Sequence, residues 1–300
     1  MQYKWLIDLV VLAAIWGSSF LFMRIATPEF GAFGLTFLRT FIATLFLMCV
    51  MTLRNRDDIQ HLFKHWRLFI AIAAFSTAIP FSLWAFVSLF LESGPMAVIN
   101  ATTPMFGALV AYIWLKESLS KSAMIGLFLG FVGVFILMIV PQNGTQLAVI
   151  PVLAGLAATT CYGINASITR RTSQKTAHLT PLTITTGSQL YSSILLVPFT
   201  LLFLPEQNPS QTAWLSIIVL GVVCTGFAFS LFFKLMVEQG ITRTLSVTYL
   251  IPLFAMLWGS LFLGEQLELR TLVGGGFILL GVAFTTGYIK IGRKPVAVGE

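Results

Sequence analysis

Asn100–Gly133 reads NATTPMFGALVAYIWLKESLSKSAMIGLFLGFVG, and Thr248–Gly281 reads TYLIPLFAMLWGSLFLGEQLELRTLVGGGFILLG. The stretches align without a gap, 148 positions apart, with eight identities: Pro104/Pro252, Phe106/Phe254, Leu109/Leu257, Leu115/Leu263, Glu117/Glu265, Leu119/Leu267, Gly126/Gly274 and Gly133/Gly281. Each is an apolar helix, a short polar corner with a Glu, then a glycine-spaced apolar helix. Apolar similarity alone does not set a Pro, a Glu and two Gly in one register. The chain is a duplicated unit, and the duplication governs every later reading.

The 300 residues are 57% hydrophobic and 10% charged, against about a quarter charged in soluble domains. Too little polar surface remains to face water, and lipid is the expected solvent. A net charge of +7 is read as basic loops at a membrane surface, with no nucleic-acid partner. Cys49, Cys161 and Cys224 fall in apolar segments without a CxxC pair, so they read as small buried hydrophobes. The first apolar run continues past Gly17-Ser18-Ser19 to Met23, which reads as a retained span and not a signal peptide.

A span needs about 20 apolar residues. Ten segments qualify: 5–24, 33–53, 68–91, 95–115, 121–140, 148–168, 180–204, 213–235, 243–263 and 270–290. With the N-terminus inside, 15 of the 18 basic residues fall on the cytoplasmic side. Arg270 alone lies outside, and Arg24 and Arg39 lie in or at the ends of spans. That asymmetry sets both termini in the cytoplasm. The corner at Lys116–Lys121 is then inside and its partner Gly264–Arg270 outside. The expected fold is an all-α integral membrane protein of ten transmembrane helices, in two inverted five-helix repeats at residues 1–144 and 145–300. Carriers working by alternating access are built this way.

These residues resemble the drug/metabolite transporter superfamily, specifically its EamA branch. The likeness rests on Trp16-Gly17-Ser18-Ser19-Phe20 with Arg24, on Leu38-Arg39, and on Pro104, Leu115-Lys116-Glu117, Gly126 and Gly133. Pro252, Leu263-Gly264-Glu265, Gly274 and Gly281 carry it in the second half. The resemblance implies a bacterial inner-membrane carrier exporting amino acids, related metabolites or drug-like molecules, with a central cavity between spans 1, 3, 4, 6, 8 and 9. Where the first half has Trp-Gly-Ser-Ser, the second has Tyr162-Gly163-Ile164-Asn165, so the cavity's two sides differ chemically.

Carriers bind near the midplane. The substrate-binding candidates there are Trp16, Ser19, Trp84, Asn100, Tyr162, Asn165 and Tyr249: aromatic walls, and polar groups that need partners away from lipid. Gly17 and Ser18 are assigned to helix packing. Pro80, Pro104 and Pro252 are expected to kink their helices and assist gating. Arg39, about 9 Å into its span at 1.5 Å per residue, and Arg24 are read as gating or structural, as are the corner residues Glu117 and Glu265. Asp8 is expected to pair with Lys4.

No Asp, Glu or His stands unambiguously at mid-span, so a proton relay loses ground and a cationic substrate lacks its counter-ion. A neutral or zwitterionic molecule such as an amino acid fits best; multidrug efflux of lipophilic compounds is the alternative. An integral-membrane enzyme would need a catalytic cluster, and none appears. His61 and His65 share a helix face near Asp57 and Asp58, but with no third ordered ligand they read as a solvated basic loop. No metal or cofactor is expected. The glycine faces of the fifth and tenth spans serve equally to pack the halves or to form a homodimer, and packing within the monomer is preferred.

Overall fold

Gly31 (φ 69°, ψ 166°) is the one non-helical residue within α1 (Lys4–Arg54), in a computed structural model that describes residues 4–54, 56–139, 149–176, 178–203 and 208–289. That residue reverses the chain. Arg39 Nη1 lies 3.8 Å from Met23 Sδ, whereas the intervening 16 residues of a straight helix would span about 24 Å. A positive φ of this size suits glycine and strains other residues. The outer loop expected at 25–32 is corrected accordingly: one glycine makes the turn, and its flanks stay helical.

After α1 come α2 (Ile59–Lys64), α3 (Trp66–Ser88), α4 (Ser93–Leu115), α5 (Lys121–Ile139) and α6 (Val149–Thr176). Then follow α7 (Pro181–Leu202), α8 (Gln211–Gln239), α9 (Arg243–Leu263) and α10 (Leu269–Thr285). Every regular element among the described residues is helical. Seven of them (α1, α3, α4, α5, α6, α8 and α9) are long and apolar enough to cross a membrane, and α10 is a shorter apolar helix. α7 is more polar, with Thr183, Thr185, Thr186, Ser188, Gln189, Ser192 and Ser193 all turned inward. The expected repeat boundary at 144/145 lies outside the described residues.

Local geometry recurs at the 148-residue offset. α3 widens into a π-turn at Ala74–Ala78, and α8 does so at Val222–Phe227. α4 ends in left-handed Lys116 (φ 59°) and α9 in left-handed Gly264 (φ 66°). Behind each cap the next amide donates back to an orphan carbonyl: Glu117 to Ala111 at 3.3 Å, Glu265 to Gly259 at 3.2 Å. α5 and α10 pack on each other through their glycines. A Cβ on Gly133 would lie 2.5 Å from the Gly274 carbonyl, and one on Gly281 2.5 Å from the Gly126 carbonyl. Gly17 likewise seats α1 on α9, with Phe254 Cβ 2.7 Å from where its own Cβ would be. Small residues here permit backbone contact.

The prolines act less uniformly than expected. Pro80 follows the π-turn of α3 as the second residue of Ile79–Ser88. Pro104 opens Thr103–Leu115 after a break at Ala101–Thr102. Pro252 lies inside Val247–Leu263, and the break in α9 falls earlier, at Ser246. The main apolar core runs through Leu12, Phe20, Trp84, Ile99, Ile217 and Ile251. A second cluster of Met51, Leu62, Phe69, Ala73, Leu179 and Tyr191 sits at the end of the bundle carrying Arg54 and Lys64. Of the cysteines, Cys161 and Cys224 are buried but Cys49 is exposed, because it sits on the outer face of α1.

Candidate functional site

Arg39 is almost fully buried, at 5% exposure. Its Nε donates to Thr225 Oγ1 at 2.9 Å, Nη1 approaches Met23 Sδ, and Cζ lies 4.0 Å from the centre of the Phe81 ring. Among the described residues no carboxylate pairs with it. A hydroxyl, a thioether and a ring face offset only part of the cost of burying a guanidinium. Both π-turns supply this cage. Thr225 lies within the α8 turn, where its hydroxyl also donates to Leu220 O at 2.8 Å. Phe81 stands just beyond the α3 turn. At the 148-residue-related place, Thr77 and Ser76 of the α3 turn meet Ser188 of α7 at 2.9 and 2.7 Å. One side of the bundle thus holds a neutral hydroxyl cluster where the other holds a charge.

Two of the sequence candidates gather at Arg39. Tyr162 is within electrostatic reach of the guanidinium. Trp84 is buried against Phe20, ring centres 5.8 Å apart, with its indole Nε1 beside Tyr162 but outside good hydrogen-bond geometry. Trp16 packs against α8, 5.3 Å from Phe232 and 5.9 Å from Phe229. Asn165 follows Tyr162 on α6, and its Oδ1 is buried without a hydrogen-bond partner. Asn100 is half-buried at the break in α4. Ser19 spends its hydroxyl on its own helix, 2.6 Å to Trp16 O. Tyr249 stands apart: its hydroxyl meets Thr286 Oγ1 of the segment after α10 at 3.0 Å, beside Tyr288.

The corner glutamates are paired. Glu265 is nearly buried and takes Arg24 Nη1 at 2.8 Å, Ser93 N at 2.9 Å and Ser93 Oγ at 3.0 Å. Gly259 makes the space, since a Cβ there would overlap the Glu265 carboxylate. Glu117 pairs with Arg170 at 2.6 Å in a far more exposed setting. Arg24 follows Trp16-Gly17 by the same interval at which Arg170 follows Tyr162-Gly163. Each half thus lends an arginine to the other half's corner. Near Glu265, burial first and then the Glu265 charge push the Glu92 carboxyl above its ordinary range. Asp8 pairs with Lys234 of α8 at 2.7 Å, not with Lys4, because α8 packs beside the start of α1.

A cavity of about 310 Å³ opens between Leu47, Val50, Leu182, Thr185, Ser230 and Phe233, bordered by Arg54, Lys234 and Glu238. It lies at the basic end, on the second half of α1 and on α7 and α8, so that of the spans expected to line a central cavity it touches the eighth alone. Sequence reasoning missed the partners of Arg39. Thr225 is 186 residues away, and no periodicity marks it. It also missed His178, whose Nε2 lies 3.2 Å from His65 Nε2.

The sequence profile of the EamA-like transporter family matches twice, over residues 3–139 and 149–287. An uncharacterized transporter of Archaeoglobus fulgidus is 24% identical, over 93% of this chain and 97% of its own. Uncharacterized transporter YoaV of Bacillus subtilis is 23% identical, over 94% and 97%. Protein PecM of Dickeya dadantii is 25% identical over 71% of each chain. A solved crystal structure, 18% identical, superposes with a TM-score of 0.63 over 94% of this chain and 96% of that one, a likeness of fold alone. Apolar helices long enough to cross a membrane and a profile matched across both halves converge: the chain is a multi-pass membrane transporter and belongs to the EamA-like transporter family.

Proposed function

We propose that the chain carries small carboxylate-bearing metabolites, zwitterionic amino acids or close relatives, across a bacterial inner membrane by alternating access. The observation that carries this reading is Arg39, a buried guanidinium with no carboxylate partner among the described residues. An intramembrane charge is a functional candidate by default, and a substrate carboxylate would complete its shell with a charge-assisted, bidentate contact. Arg39 thereby moves from the gate to the binding site. Tyr162, Trp84, Trp16 and Asn165 form the walls, and Asn100 lies at the hinge of α4. A cationic drug would meet a like charge, which argues against multidrug efflux of cations.

The architecture behind this reading is ten spans in two inverted five-helix repeats, with both termini cytoplasmic. Splitting α1 at Gly31 and counting α7 and α10 with the other long helices gives that number. Support comes from the recurrent π-turns and left-handed corners, the crossed glycine contacts of α5 and α10, and the reciprocal Arg24–Glu265 and Arg170–Glu117 pairs. In an alternating cycle each pair parts when its own end opens.

The test is counterflow in proteoliposomes with labelled neutral amino acids, purines and lipophilic cations, wild type beside Arg39→Gln and Asn165→Ala. Losing a charge-assisted contact of about 1.5–3 kcal/mol lowers affinity about 10- to 150-fold. Amino-acid exchange in the wild type, with that loss in Arg39→Gln, supports the reading. Flux confined to lipophilic cations refutes it.

A further inference from the structure

At the basic end of the bundle three histidine rings converge from two distant segments. His61 and His65 stand one turn apart along α2 and its C-cap, and His178 lies between α6 and α7. Ring centres are separated by 6.1 Å (His61–His65), 5.4 Å (His61–His178) and 5.1 Å (His65–His178). One ligating nitrogen from each falls within 4.8 Å of the others. The closest two, Nε2 of His65 and Nε2 of His178, are 3.2 Å apart. Zinc–nitrogen bonds of about 2.0–2.1 Å arranged tetrahedrally set neighbouring nitrogens about 3.3 Å apart. That edge of a tetrahedron is already in place. His61 must close by up to about 1.5 Å, and its Nδ1 is buried without a hydrogen-bond partner.

The rings are held from behind. Leu62, next to His61, is fully buried, and Leu179, next to His178, is buried with it in the second apolar cluster. Tyr191 donates to Leu62 O at 3.1 Å. Asp58 fastens the two segments, accepting from Thr180 and Thr183, each at 3.0 Å. A site whose backing is packed in this way loses little entropy on binding.

We propose that His61, His65 and His178 form a binding site for one borderline transition-metal dication of the zinc class, with water as the fourth ligand. Imidazole ligands and tetrahedral spacing select zinc and its neighbours over magnesium or calcium, which take oxygen ligands. The ligands come from both halves of the chain, so a bound ion would tie the first half to the second at this end and hold it closed. The site is independent of the substrate that the transporter carries.

The experiment uses the full chain in detergent, freed of any oligohistidine tag and of metal. Zn²⁺ is titrated against a chromogenic chelator, and Co²⁺ is added separately to read ligand-field absorption. One Zn²⁺ per chain and the intense visible bands of tetrahedral Co²⁺ are expected. His65→Ala and His178→Ala should each weaken binding by at least the roughly tenfold that losing even an outer-shell partner costs. His178 is exposed, so its substitution leaves the packed core intact and keeps the comparison clean. Absence of stoichiometric Zn²⁺ binding, or wild-type affinity in either variant, overturns the proposal.

Discussion

Replacing Arg39 with glutamine separates a structural role from a functional one. A side chain retained for stability weakens the fold when it is lost. A buried charge without an ionic partner works the other way, because its desolvation cost disappears with it. Arg39→Gln is therefore expected to melt at or above the wild-type temperature in detergent, while Thr225→Val melts lower, by about 1–3 kcal/mol, since it strands the guanidinium Nε. Thermal unfolding of the three proteins checks this, and a large drop for Arg39→Gln would make the residue structural. Arg39 itself stood out in the sequence as a charge in an apolar span. Its meaning did not, because Met23, Phe81 and Thr225 reach it only after the chain reverses at Gly31 and α3 and α8 widen into π-turns. No proline marks the second of these turns.

Among the elements, the two corners make the sharpest comparison. Lys116 and Gly264 occupy equivalent left-handed caps, and a side chain in that region costs about 1–2 kcal/mol. Lys116→Gly is expected to stabilise the protein by about 1 kcal/mol and Gly264→Ala to destabilise it by a similar amount; opposite shifts in melting temperature would check both. Beside the Gly264 corner, Glu92 has its pKa raised by burial and by Glu265. The folded chain then holds this proton to higher pH than the unfolded chain does. Stability falls as pH rises from the ordinary carboxylate range through the raised value, and Glu92→Gln escapes that fall. The melting temperatures of variant and wild type should coincide at low pH and diverge above it, the variant being higher. Elements of this kind were largely legible: the expected spans lie within or close to the observed helices because apolar length dictates them. The break at Ser246 was not legible, since Pro252 drew attention to a place where the helix continues.

At the scale of the whole molecule, π-turns and left-handed corners recur 148 residues apart. Crossed glycine contacts join α5 to α10, and crossed arginine–glutamate pairs join each half's corner to the other half. The two pairs differ in burial. Arg24–Glu265 is enclosed and reinforced by Ser93, whereas Arg170–Glu117 is exposed, where a pair contributes about 0–1 kcal/mol. In the proposed alternating cycle the basic end is the more easily opened, and the 310 Å³ cavity lies there. The corners differ in charge in the sequence, but their difference in burial is not visible there, because Arg24, Arg170 and Ser93 reach them from distant segments. The charge at Arg39 against hydroxyls at Ser76, Thr77 and Ser188 makes the two sides unequal as well, and in the proposed function the carboxylate binds on the Arg39 side. Counterflow of a labelled neutral amino acid and of its decarboxylated amine, each in wild type and in Arg39→Gln, tests that claim most directly. Exchange of the amino acid alone, and its loss in the variant, is expected; equal exchange of the amine, or a variant indistinguishable from wild type, would rule out Arg39 as the carboxylate's partner.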